Sequence, residues 1–519
     1  MIHAAAPPSP AALRPWWETR WFVAAMVLLA FVPLLYPPIP PLVDLPGHMG
    51  RFHVQMELAH SPLLQRFYEY HWALVGNLGV DLLVIPVAKL FGLELGTKLI
   101  VMCIPPLTVG GFLWVAREVH NRIPPTALFA LPFAYGYPFL FGFVNFALSM
   151  AFAFLAFGLW LRLGRLGKTR LRSVLFVPIS FAVFITHTFG WGALGLMCFS
   201  AEAVRQHDAC NSWWKSALRA ATHTAWLAGP LLMLLFWRHE AQGGGVTVDW
   251  FNWTAKKLWI QSALRDRWAF YDQLSLYAAA SVLALAFLLP RLGFSRNLAF
   301  STFVLAVIYI LIPRIVFGSA FADMRLVPFM IAVPLLAVRF REATHLPTAR
   351  VLAMLGLAFF VMRIAGNTIS LARASDDAQR ELVALQYLPA GSRVLYLVAW
   401  KCGDTWPLPR KSQLGAMTLV RKDALVNSEW RLPGAQILVV RNQARLGRFG
   451  GDPSQLVLPE RCATSEHWSP SRALSAFPRE EFDYAWLVDM PPFDSTLVAG
   501  WQLLYRDEDS MLYRIRPGR

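Results

Sequence analysis

Eleven stretches of roughly twenty mainly apolar residues, separated by short linkers, dominate this chain and leave a soluble core no room. They fall at 20–37, 98–116, 125–141, 143–162, 172–186, 188–204, 219–236, 273–290, 297–313, 325–339 and 350–369. A twelfth run, 80–91, holds about a dozen residues and contains Asp81 and Lys89, so it reads as an interfacial helix rather than a span. Only 15% of the 519 residues are charged, against about a quarter in soluble proteins. The net charge of +16 does not point to nucleic acid. Region 371–519 is nearly neutral, and the excess sits in the short linkers, where positive charge sets topology.

Eleven spans with the N-terminus in the cytoplasm make every inner linker basic, the richest being RLGRLGKTRLR. Counting 80–91 as a span would place those clusters outside. The first apolar run follows Arg14 and Arg20 and lacks a small-residue cleavage site, so it reads as a signal anchor. The expected architecture is a mainly α polytopic membrane domain, 1–370, with a long first outer loop at 38–97. A small C-terminal α/β domain, 371–519, follows on the non-cytoplasmic side. Its strand-like runs are SRVLYLVA, AQILVVR and YAWLVDM, and WQLLYRDEDSMLYRIR reads as a hairpin. Cys402 and Cys462 either pair there or stay as thiols; no C-x-x-C marks a metal site.

In this topology the unusual polar residues gather on the outer side. The first loop opens with PPLVDLPGHMGRFHVQ, in which Asp44 and His48 stand one helical turn apart. An ionisable residue at the mouth of a span is costly without a partner or a use. Asp44 is therefore a candidate base for an acceptor hydroxyl, with His48 beside it; the structural alternative is a helix cap. Arg51, Arg265, Arg314 and Arg325 are outer-face guanidinium groups suited to forked bonds with phosphate. His187, Asn145 and Asp323 complete the candidate pocket. Each has a plain structural reading: a satisfied turn histidine, a backbone-bonding amide, and an ion pair of Asp323 with Arg325. The aromatic, basic WFNWTAKKLW at 250–259 reads as a segment lying on the membrane.

With VDLPGH at 43–48, GNLGVDLLVIPVAKLFGLELGTKLI at 76–100, YGYPFLFGFVNFALSMAFAF at 135–154 and FADMRLVPF at 321–329, the chain resembles the GT-C glycosyltransferases over about 20–370. The resemblance implies transfer of a sugar from a polyprenyl-phosphate donor to a lipid, glycan or protein acceptor at the outer face of a bacterial inner membrane. It implies that Asp44 is the first-loop acid and that arginines, foremost Arg314 and Arg325, hold the donor phosphate. Metal-dependent members carry a second acidic motif; this chain has no D-x-D, so no cofactor is assigned. Two other classes stay open. A transporter or flippase of a lipid-linked or anionic substrate would place polar groups at the bilayer midplane, often in two related halves. A non-catalytic subunit of an envelope-glycan assembly complex would need no reactive carboxylate.

Overall fold

The computed structural model describes residues 15–210, 212–233, 246–341, 346–403, 405–430 and 437–515. Five helices are long and apolar enough to cross a membrane: Leu93–His120, Val144–Arg165, Thr169–Thr186, Ala269–Leu288 and a continuous Leu346–Tyr387. Arg20–Leu35 and Arg296–Leu311 are shorter apolar helices. The protein is a multi-pass membrane protein with a mixed sheet domain at its C-terminal end.

All but two of the expected spans coincide with α-helical segments. The run 125–141 is instead a buried 3-10 helix, Pro125–Tyr135, followed by the short helix Tyr137–Phe141. Pro124, Pro125, Pro132 and Pro138 deny this stretch the amide donors of a regular ladder. The run 219–236 continues Trp213–Thr224 into a 3-10 turn, Ala225–Ala228, and its last residues lie outside the described ones. The run 80–91 forms the helix Gly79–Phe91, which buries Val80, Asp81, Val84 and Ala88 and exposes Leu82, Leu83, Leu90 and Phe91.

The last helix, Leu346–Leu382, has 37 residues and so extends about 55 Å. It runs unbroken through the expected domain boundary at 370 and delivers the chain directly into the sheet. That sheet has Arg393–Ala399 and Tyr484–Val488 paired in parallel at its centre. Ser510–Arg514 joins Tyr484–Val488 antiparallel and closes the expected hairpin with Gln502–Arg506. Leu425–Val426 and Leu456–Val457 both pair in parallel with the first strand. The second expected strand, in AQILVVR, goes elsewhere: its Leu438–Val440 pairs antiparallel with Tyr68–Tyr70 of the first loop. Cys402 and Cys462 form a disulfide.

The first loop and the C-terminal domain are thus one packed unit. Buried Tyr68 donates its hydroxyl to the Ala424 carbonyl (3.0 Å), and His53 and Ser61 both bond the Asp423 carboxylate (2.7 and 2.8 Å). Arg421 forks onto Glu94 (2.7 and 3.0 Å). Arg410 bonds both the Pro41 carbonyl and Asp266, tying the first loop to the segment before Ala269–Leu288.

Candidate functional site

Pro46 at the second position of the helix Leu45–Glu57 places Asp44 at its N-cap. The Asp44 side chain makes no capping bond, and among the described residues no other hydrogen bond or ion pair holds it. The helix start is fixed through the backbone instead: Asp44 N donates to the Phe141 carbonyl (2.9 Å) and His48 N to the Asp44 carbonyl (3.1 Å). Gly142, at φ 104°, lies so close that a Cβ there would stand 2.6 Å from Asp44 N. Only glycine fits both that conformation and that contact. The cap reading therefore does not account for the carboxylate, which stays partly accessible among enclosing protein.

That enclosure has an electrostatic price. Burial pushes the Asp44 carboxyl well above the usual carboxylate range, the negative charge of Asp452 adds to it, and Arg325 opposes it. Burial drives His48 well below its ordinary value, with Arg51 acting in the same direction and the Gly142 carbonyl against it. A carboxylate with raised proton affinity beside a neutral imidazole is suited to take a proton from a hydroxyl.

Arg325, on the helix Ala322–Ala337, lies close enough for its charge to act on Asp44, His48 and His187. Its guanidinium stands over the Phe143 ring (4.4 Å to the centroid) and near Phe189 (5.6 Å). One Nη donates to Ser319 Oγ (3.1 Å), and Nε is buried without a partner. The expected ion pair with Asp323 is absent. Asp323 accepts from its own Met324 amide (2.9 Å) and faces Lys256 Nζ at 3.5 Å. Lys256 is in turn fixed on the Tyr309 and Ile312 carbonyls. Among the described residues Arg325 is left as a buried cation with two aromatic faces and no carboxylate within ion-pair distance. His187 accepts from the Phe189 amide through Nδ1 (3.1 Å), so its turn is satisfied on that side alone.

The other sequence candidates lie in local pairs. Arg314 binds Asp249 (2.6 Å). Arg265 donates to the Thr405 and Trp406 carbonyls of the C-terminal domain and lies over the Tyr137 ring (5.1 Å), which Asp44 also influences. Arg51 forks onto Asp81 (2.8 and 3.0 Å), and Asn145 donates to the same carboxylate (2.8 Å). The structure thus gathers Asp44, His48, Arg325 and His187, with Arg265 at the edge. It places Arg51 and Asn145 in a buried knot around Asp81. The one set of three carboxylates among the described residues spaced to hold a cation, Glu381, Asp489 and Asp509, surrounds the Lys411 ammonium.

Sequence reasoning did not find the groups supplied by the C-terminal domain. Gly47 and Gly50 leave a notch on the first-loop helix. The Trp430 ring and the Glu429 carboxyl fill it, so close that a Cβ would stand 2.7 and 2.5 Å from them. Trp430 also packs on His48 (4.9 Å). Nothing in the run VNSEW marks these residues, because their neighbours lie nearly four hundred positions earlier.

Glu429 carries a testable consequence. It is 1% exposed, both its oxygens lack partners among the described residues, and burial pushes it up to about 8, with Arg51 opposing and Asp452 adding. An unfolded glutamate titrates near ~4.3. Between those values the folded protein holds a proton that the unfolded chain has released, so stability falls as pH rises through this window. Glu429→Gln is expected to melt higher than wild type at about pH 8 to 9, by roughly a few kcal/mol of stability, with the gap closing towards pH 4. Parallel pH profiles of melting for the two proteins would show that Glu429 is not held neutral.

Among solved structures, the fold is similar to two crystal structures of ArnT from Cupriavidus metallidurans, one bound to undecaprenyl phosphate and one in the apo state. Identity is 13% in both, over 96% of this chain and 97% of that one, with TM-scores of 0.47 and 0.48. No family model and no curated protein matches the sequence.

Proposed function

We propose that this protein is a membrane glycosyltransferase of the GT-C kind, moving a sugar from a polyprenyl-phosphate donor to a hydroxyl acceptor on the outer face of a bacterial inner membrane. The observation that carries this reading is the pairing of one unpartnered carboxylate with one buried, carboxylate-free guanidinium. Every other candidate arginine is engaged by a carboxylate or by backbone carbonyls. In the proposed reaction the acceptor oxygen bonds to the anomeric carbon as its proton passes to Asp44. The bond from that carbon to the phosphate oxygen breaks, and its electron pair stays on the departing lipid phosphate. Arg325 stabilises that charge, and a preorganised cation is most effective where water is excluded.

A lipid carrier needs an apolar place for its chain. A recess of about 380 Å³ lies between Trp191, Gly192, Gly195 and Leu196 of the helix Thr188–Cys210 and Leu227 of the turn Ala225–Ala228. Phe189, which packs near Arg325, is two residues before Trp191, so one helix both touches Arg325 and lines the recess. The N-terminus is assigned to the cytoplasm and the C-terminal domain to the outer side by the basic linkers.

The test is transfer of radiolabelled sugar by membranes supplied with polyprenyl-phosphate sugars, comparing wild type with Asp44→Asn at equal protein level. Loss of transfer in the variant is the expected result. Equal transfer in both would remove Asp44 as the base. No transfer by wild type from any donor would favour a transporter or a non-catalytic subunit.

A further inference from the structure

Asp44 and Arg325 are joined in space by one turn of chain, Phe141–Gly142–Phe143. The Phe141 carbonyl accepts the Asp44 amide (2.9 Å), and Gly142 packs against the Asp44 backbone. At the other end of the turn the Phe143 ring carries the Arg325 guanidinium, 4.4 Å from its centroid. The two rings of the turn stand 5.1 Å apart, and Phe321 extends them at 5.7 Å from Phe141. Tyr137 packs on Phe141 (5.8 Å) and Trp259 on Phe321 (5.6 Å), and both of these supporting rings are buried. Phe141, Phe143 and Phe321 instead keep partial access to solvent. Phe321 does so at φ 62°, a left-handed backbone that bulky residues rarely adopt. Three half-buried phenyl rings thus form a row that touches both Asp44 and Arg325.

The reaction proposed above fixes what must lie across this turn. The acceptor oxygen stands at Asp44, the leaving phosphate at Arg325, and the anomeric carbon between them. The sugar ring that carries this carbon therefore lies on the turn that joins the two residues. We propose that Phe141 and Phe321 form the donor-sugar subsite, a wall that takes one C–H face of a monosaccharide ring and sets which sugars are accepted. Phe143, with one face taken by Arg325, closes the wall towards the phosphate. A sugar ring carries hydroxyls around its rim and C–H bonds on its faces, and C–H groups meet the negative face of an aromatic ring favourably. Phenyl rings orient such a face without competing for the hydroxyls. A sugar with an axial hydroxyl on the stacked face would bury it against a ring without a partner, so it is disfavoured. The subsite rests on the function proposed above, and its test is binding rather than turnover.

The measurement is equilibrium binding by the purified full-length protein in lipid nanodiscs. The probes are sugar-free polyprenyl phosphate and a panel of polyprenyl-phosphate pentoses and hexoses that differ in single axial or equatorial hydroxyls. Wild type is expected to bind at least one sugar-bearing lipid about tenfold more tightly than the sugar-free one. Phe141→Leu keeps the apolar volume but not the flat ring. It is expected to lose about three- to tenfold of that preference while sugar-free binding stays unchanged. Phe141→Tyr keeps the ring and is expected to keep the preference, which a merely structural loss would not restore. Phe321→Leu serves where Phe141→Leu does not fold. A preference that survives in both leucine variants overturns the proposal. So does a wild type that binds no sugar-bearing lipid better than the sugar-free one. A ring-dependent preference in a protein that transfers no sugar would sink the function proposed above and leave the subsite standing.

Discussion

Arg325→Met is expected to lower sugar transfer by about 10²- to 10³-fold while the protein stays folded. The size of the loss follows from where the cation stands. Its guanidinium rests on two phenyl faces, donates only to Ser319 among the described residues, and leaves a buried Nε for an incoming oxygen. A phosphate whose charge grows as the glycosidic bond breaks would gain most from a donor that needs no reorganisation. For folding the balance is reversed: a buried cation with no carboxylate partner is a cost, and a methionine of similar length among aromatic rings removes it. Unchanged or raised melting together with lost transfer would therefore read chemistry rather than collapse. Arg325→Lys is expected to restore little, because a point ammonium lacks the planar fork. Arg314→Met is the contrasting case. Asp249 already neutralises that arginine at 2.6 Å, so its loss is expected to cost less than about tenfold. Transfer by Arg325→Met close to that of wild type would remove Arg325 as the phosphate ligand.

The membrane architecture was legible because its signals are local. Apolar runs of span length and basic linkers need no knowledge of distant neighbours, and most of them became helices within a few residues of the expected ends. One of the two exceptions, 125–141, failed for a local reason as well: four prolines in fifteen residues outweigh apolar composition. Asp44 stood out as a candidate because it is an acid at the end of a span; that its carboxylate makes no cap is a finding of the structure. Pairing across the fold was not legible. Asp323 stands two residues before Arg325, yet Lys256, 67 positions away, is the cation it meets. Arg51 stands seven residues after Asp44, yet it turns to Asp81. Nor does any local pattern show that Leu438–Val440 leaves its own domain's sheet for Tyr68–Tyr70, which is what brings Glu429, Trp430 and Asp452 over the first-loop helix.

The knot around Asp81 is where the largest loss of stability is expected. Asp81 is 0% exposed and accepts from Arg51 Nε and Nη2 and from Asn145 Nδ2. Asn145 also donates to the Asn77 carbonyl (2.7 Å) and accepts from the Val80 amide (2.6 Å), and Gln55 donates to the Asp81 carbonyl (2.9 Å). Two first-loop helices and the span Val144–Arg165 meet at this one carboxylate. Asp81→Ala leaves Arg51 charged in a buried place, and a broken buried pair typically costs about 3–5 kcal/mol. Arg51→Ala is expected to cost a similar amount by stranding Asp81. The double variant, with neither charge left to desolvate, is expected to be clearly less destabilised than the sum of the two, by more than about 1 kcal/mol. Denaturant and thermal unfolding of the purified proteins would give the cycle. Strict additivity would show that the pair is not coupled. A folded, fully stable Arg51→Ala that had lost sugar transfer would return Arg51 to the phosphate, where its place in the sequence first put it. The knot predicts the reverse order, stability failing first and activity with it, because Arg51 holds the helix on which Asp44 is mounted.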